Sequence, residues 1–150
     1  MSLRSIITMF AMIAGLIACS EENEDEQLVS INGSTESHKA GEACMNCHKS
    51  GGSGEGIFVV GGTIYNSGKT AVYPNATIRL YTGPNATGSL KSMIEVDGKG
   101  NFYTTESTDF GTGLYVAVEG NSGTNHMISM ITNGNCNQCH DATSNRIWTE

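Results

Sequence analysis

The chain has 150 residues and a formal net charge of −7, with charged residues at only 15% and 19 glycines. That length allows one domain, or one domain with tails. Sparse charge and the lack of a long Ala/Glu/Lys/Leu run argue against a helical bundle, and the acidic balance with scattered Lys and Arg argues against nucleic-acid binding.

Arg4 is the lone positive charge ahead of an apolar run from Ile6 to Ala18. The run falls short of the about 20 residues needed to span a bilayer, so 1–18 reads as a signal peptide to be set aside from fold reasoning. It ends Leu16-Ile17-Ala18-Cys19, which resembles the lipobox of bacterial lipoproteins. The resemblance implies cleavage before Cys19 and lipidation of its thiol. The alternatives are an ordinary cleaved signal or an uncleaved anchor with Cys19 incidental. Several acyl chains on one cysteine would hold the protein stably on a membrane. With Ser20 and not Asp following, the resemblance implies the outer membrane, facing the periplasm or the cell surface. Residues 19–42 read as an acidic flexible tether, because the run 20–27 is rich in Glu and Asp and has no apolar partner.

Residues 43–56 contain Cys44-Met45-Asn46-Cys47-His48 and then the glycine-rich run 51–56, which reads as a flexible link. From 57 to 131 the pattern changes to short alternating strands between turn residues. Residues 57–65 are apolar, with Gly61-Gly62 suggesting a bulge or bend. Ala76, Ile78 and Leu80 share one face of the next strand. Gly83-Pro84-Asn85 is a turn, residues 90–96 form a strand, and Asp97-Gly98 predicts a hairpin returning over 101–105. Leu114, Val116 and Val118 make another period-two face, and 126–131 reads as a last apolar strand. Six or seven strands at this spacing predict a mainly β fold, a single β-sandwich. Gly62-Thr63-Ile64-Tyr65, Ala76-Thr77-Ile78-Arg79-Leu80, Asp97-Gly98-Lys99-Gly100-Asn101-Phe102 and Gly113-Leu114-Tyr115-Val116 resemble the carboxypeptidase regulatory-like, transthyretin-like sandwich. That family is a scaffold, so the likeness implies fold and not chemistry.

Residues 132–150 carry the second motif, Cys136-Asn137-Gln138-Cys139-His140, and a short tail in which Trp148 is expected to cover the sandwich. Cys-x-x-Cys-His is the attachment signature of a c-type haem. Two thiols three positions apart can reach the two vinyl groups of one porphyrin, and the adjacent histidine falls under the iron. The doubled motif resembles multihaem c-type cytochromes. It marks Cys44, Cys47, Cys136 and Cys139 as covalent attachment residues for two haem c groups, and His48 and His140 as proximal iron ligands. With Cys19 taking lipid, every cysteine is assigned.

A second axial ligand is needed for each six-coordinate iron. His38 and His126 are the only other histidines and are the candidate distal ligands; Met93, Met127 and Met130 compete. Bis-imidazole ligation leaves no open site, which suits electron transfer and not an enzyme. A redox partner protein, another cytochrome, is expected, with the membrane reached through the lipid anchor. Two other readings stand beside this one. The four cysteines could hold zinc in a cell-envelope binding module, although the stretch from 48 to 135 far exceeds zinc-ribbon spacing. Alternatively, a haem with one open coordination position would make a haem-based sensor.

Overall fold

The computed structural model describes residues 27–141, 143 and 145–150. The expected signal peptide, the lipidation candidate Cys19 and the acidic residues up to 26 lie outside the described residues. Among the described residues no helix is long and apolar enough to cross a membrane.

Among the described residues, eight strands form two four-stranded sheets packed as a sandwich. They are β1 (Val60–Asn66), β2 (Thr77–Gly83), β3 (Thr87–Glu95), β4 (Asn101–Thr104), β5 (Tyr115–Glu119), β6 (Thr124–His126), β7 (Gly134–Asn135) and β8 (Ile147–Thr149). One sheet runs β4-β1-β7 with β8 also on β1; the other runs β3-β2-β5-β6. Two 3-10 turns, Cys44–Asn46 and Cys136–Gln138, begin the two Cys-x-x-Cys-His motifs.

The core lies between the sheets. Val60, Ile64 and Phe102 from the first sheet meet Ile78, Leu80, Ile94, Val116 and Val118 from the second. Alternation along each strand puts these side chains on one face. Each such burial stabilises by roughly 1.5–3 kcal/mol before conformational entropy is counted.

Three expectations are corrected. The Asp97-Gly98 turn does not join a hairpin. It carries the chain from β3 in one sheet to β4 in the other, where β4 pairs with β1. The local turn chemistry is as expected, since Asp97 Oδ1 accepts from the main-chain N–H groups of Lys99 and Asn101 at 2.9 Å each. Turn residues set the local bend, but the partner of the following strand is chosen by core packing. The segment 126–131 is not a strand: β6 ends at His126, and Ile131 makes only an isolated bridge to Leu114. The count of six or seven strands is short because β7 and β8 are two and three residues long and carry no alternating apolar pattern. They dock in parallel along β1, β7 at Val60–Gly61 and β8 at Ile64–Asn66. Trp148 lies in β8 opposite Tyr65 and is partly buried, as expected of a residue covering the sandwich.

Residues 28–42, read from sequence as tether, lie along the sandwich. Leu28 and Thr105 exchange hydrogen bonds, Val29 bridges to Thr104, and Ser30 N donates to Tyr103 O at 2.9 Å. Gly33 N then donates to Asn75 Oδ1 at 2.9 Å, and Gly41 N to Thr63 Oγ1 at 2.8 Å. This course brings the first motif onto β1.

Candidate functional site

Both motifs fold into the same turn. In the first, the N–H groups of Cys47 and His48 donate to Cys44 O at 3.1 and 3.0 Å; in the second, those of Cys139 and His140 donate to Cys136 O at 3.2 and 3.0 Å. The Cys44 thiol lies 3.6 Å from Glu42 O, and the Cys136 thiol 3.4 Å from Gly134 O, each on the carbonyl two residues back. Cys47 and Cys139 are exposed, whereas Cys44 and Cys136 are partly buried. A 3-10 turn places residues three apart on one side, so each cysteine pair is presented together.

The two motif histidines are held alike. His48 Nδ1 lies 2.7 Å from Glu55 O, and His140 Nδ1 is hydrogen-bonded to Asn145 O. A main-chain carbonyl can only accept, so Nδ1 carries the proton and Nε2 presents its lone pair. In each case the chain after the histidine folds back to supply the carbonyl. The glycine-rich run that reads as a flexible link is this return. Gly54 N donates to Cys47 O at 3.0 Å, and a Cβ at Gly54 would come within 2.7 Å of the His48 ring. After His140, Asp141 Oδ1 accepts from the N–H and hydroxyl of Thr143 at 2.7 and 2.8 Å, and Asn145, at φ +46°, completes the loop. His48 also stacks on Phe58 at 3.9 Å, and Phe58 on Tyr103 at 4.8 Å.

Beside the first motif opens a cleft of about 520 Å³, bordered by Cys44, Cys47, His48, His38, Phe58 and Tyr103. Apolar and aromatic walls with a few convergent polar groups are what a cofactor cleft offers. His38 faces His48 with 6.0 Å between ring centroids. A second cleft, of about 460 Å³, lies between the motifs and is lined by Cys47, Asn46, Asn137 and Asp141 among others.

The remaining donors lie in the second sheet or its loops. His126 is exposed at the end of β6, opposite Ala117, and among the described residues no ring contact joins it to His140. Met93 is on β3, where its sulfur accepts from Arg79 Nη1 at 3.0 Å. Met127 packs against the core and Met130 is exposed; both follow β6 and do not alternate within a strand. Among the described residues no three of the His, Cys, Asp and Glu side chains converge on a point where a metal ion could sit.

Burial pushes the Cys136 thiol up to about 12 from an ordinary value of 9.0, and Cys44 nearby adds to the rise. Burial also raises the Cys44 thiol, with a smaller contribution from the Glu42 carboxylate. A rise of this size leaves Cys136 on the order of a thousandfold less thiolate at pH 8. In protein made without haem, iodoacetamide at pH 8 should therefore alkylate Cys47 and Cys139 first and Cys136 last, read by peptide mass spectrometry. Equal rates at Cys136 and Cys139 would contradict the burial. Because the folded value lies above the unfolded one, the stability tied to Cys136 is complete below about pH 9. It is lost as pH rises toward about 12.

Sequence reasoning missed Gly54, Phe58 and the carbonyls of Glu55 and Asn145, since nothing in period or spacing marks a loop that returns to a histidine. No protein-family model, no curated protein and no solved structure matches this chain.

Proposed function

We propose that the protein is a dihaem c-type cytochrome of the cell envelope that transfers electrons and is not an enzyme. One observation carries the reading. Two motifs far apart in sequence adopt the same turn, and each histidine gives its Nδ1 proton to a main-chain carbonyl. That partner fixes the tautomer and orients the ring, which is how ligating histidines are held.

Cys44 and Cys47 would bond one haem c, and Cys136 and Cys139 the other. His48 and His140 would ligate the irons through Nε2. Bound haem supplies a one-electron couple whose potential follows axial ligand and exposure. Both His38 and His48 border the first cleft. His38 stands at 6.0 Å from His48, which favours it as the distal ligand of the first haem. His126, on β6, stays the candidate distal ligand of the second haem, with no ring contact to His140 among the described residues to support it. Phe58 and Tyr103 would wall the first porphyrin and keep water from one side.

Lipid at Cys19 would tether the domain to the outer membrane, and the redox partner would be a protein, another cytochrome. Protein produced with a c-maturation system should give two haems per chain in a pyridine haemochrome assay. None, with one zinc per chain by metal analysis, would replace the proposal with the binding-module reading.

A further inference from the structure

Thr63 points away from the core of the sandwich, yet it is fully buried. What covers it is the pair of motif segments, and every polar valence of its side chain is used. The hydroxyl donates to Asn101 Oδ1 at 2.7 Å and accepts from Gly41 N at 2.8 Å and from Asn137 Nδ2 at 3.1 Å.

Its neighbours are equally committed. Asn137, the residue after Cys136, is 2% exposed. Its Oδ1 accepts from Thr63 N at 3.1 Å, and its Nδ2 also donates to Glu42 O at 2.8 Å, two residues before Cys44. Asn101 Nδ2 donates to Ser37 Oγ at 2.9 Å and to His38 O at 3.4 Å. A continuous chain of hydrogen bonds, buried at its centre on Thr63 and partly buried at its ends, therefore runs from inside the second motif, through β1, to the segment before the first motif and to the main chain of His38. A fully satisfied buried network specifies one arrangement, because removing any member strands the others without water.

We propose that Thr63, Asn137 and Asn101 form a positioning joint that sets the second haem-attachment motif against the first and holds His38 beside His48. The proposal rests on the dihaem reading. Thr63 and Asn137 touch no iron ligand directly; they act through the main chain at Gly41, Glu42 and Cys136. Their effect should appear in the coupling between the two haems and in the ligation of the first, not in haem content.

The test uses the full chain matured with haem and compares wild type, Thr63→Val, Thr63→Ser and Asn137→Ser. Valine keeps the shape of threonine but removes the hydroxyl; serine keeps the hydroxyl. Haem per chain is counted first, so a failure of the dihaem reading is seen separately as a wild type without two haems. Circular dichroism in the Soret band then reads the fixed orientation of one haem relative to the other, and carbon monoxide uptake reads a loosened distal ligand. Thr63→Val is expected to keep two haems, to lose at least half of the split Soret signal and to bind carbon monoxide in excess of wild type. Thr63→Ser should restore both readouts. Should Thr63→Val not fold, Asn137→Ser, which shortens the reach to Glu42 O, is expected to give the same pair of changes. A variant with two haems, an unchanged split signal and no added carbon monoxide uptake overturns the joint, as does a dihaem wild type without a split signal.

Discussion

Replacing His38 by alanine is expected to leave two haems per chain and to add one carbon monoxide bound per chain over wild type in the reduced protein. The reasoning starts from placement. His38 is exposed, its ring faces His48 across the first cleft, and its main chain is held by Asn101. Alanine removes the imidazole without touching that main-chain bond or the sandwich core. The thioethers at Cys44 and Cys47 and the proximal bond at His48 would be unaffected, so haem content should hold while one coordination position opens. The measurement is a carbon monoxide titration of dithionite-reduced protein, followed in the Soret band. No change in uptake would remove His38 from the ligand set. Alanine at His126, on β6 in the other sheet, tests the second candidate on its own, and added uptake there would assign it to the second haem.

Gly134→Ala should strike the second motif hardest while sparing the first. Gly134 opens β7 and pairs with Val60 in parallel register. A Cβ there would overlap the main-chain carbonyl oxygen of Val59 and come within 2.6 Å of Val60 Cα. Those are main-chain atoms of Val59, just before β1, and of Val60 in β1, and they cannot move aside as a flexible side chain would. The expected result is displacement of β7 from β1, taking Cys136 and Asn137 with it and breaking the bonds of Asn137 to Thr63 and Glu42. Overpacking of this kind costs about 1–3 kcal/mol, a fall in Tm of roughly 5–15 °C. Gly123→Ala is the control, because a Cβ there meets nothing within 4 Å. Thermal unfolding followed by far-ultraviolet circular dichroism checks both, and a Gly134→Ala protein as stable as Gly123→Ala would contradict the close approach.

The strands that carry the core were legible in advance because burial on one face writes period two into the sequence. Ile78 and Leu80 in β2, and Val116 and Val118 in β5, are examples. β7 and β8 were not legible. Gly134-Asn135 is chosen by a close backbone approach, and Ile147–Thr149 by docking on β1; neither leaves a periodic trace. The hairpin assigned to Asp97-Gly98 failed for a related reason. The turn signal is local and was correct as a turn, but whether two successive strands pair or part between sheets depends on contacts with β1 and β2, remote in sequence.

At the candidate site the same division holds. The two Cys-x-x-Cys-His motifs and their chemical potential belong to the sequence alone, because attachment needs only two thiols and an imidazole at fixed spacing along a short turn. The glycines of 51–56 were visible, but their purpose was not: they let the chain pass against the His48 ring and return the Glu55 carbonyl to Nδ1. Only the tertiary structure brought His38 to His48 and left His126 on another sheet, although both are single histidines upstream of a motif. It alone placed Asn137 on Thr63 and Thr63 on Asn101, joining positions from the two ends of the chain. The physical reason is range. Side-chain chemistry and alternation act over a few residues and are written locally, whereas the packing of two sheets and the covering segments that close over β1 decide which distant groups share a buried hydrogen bond.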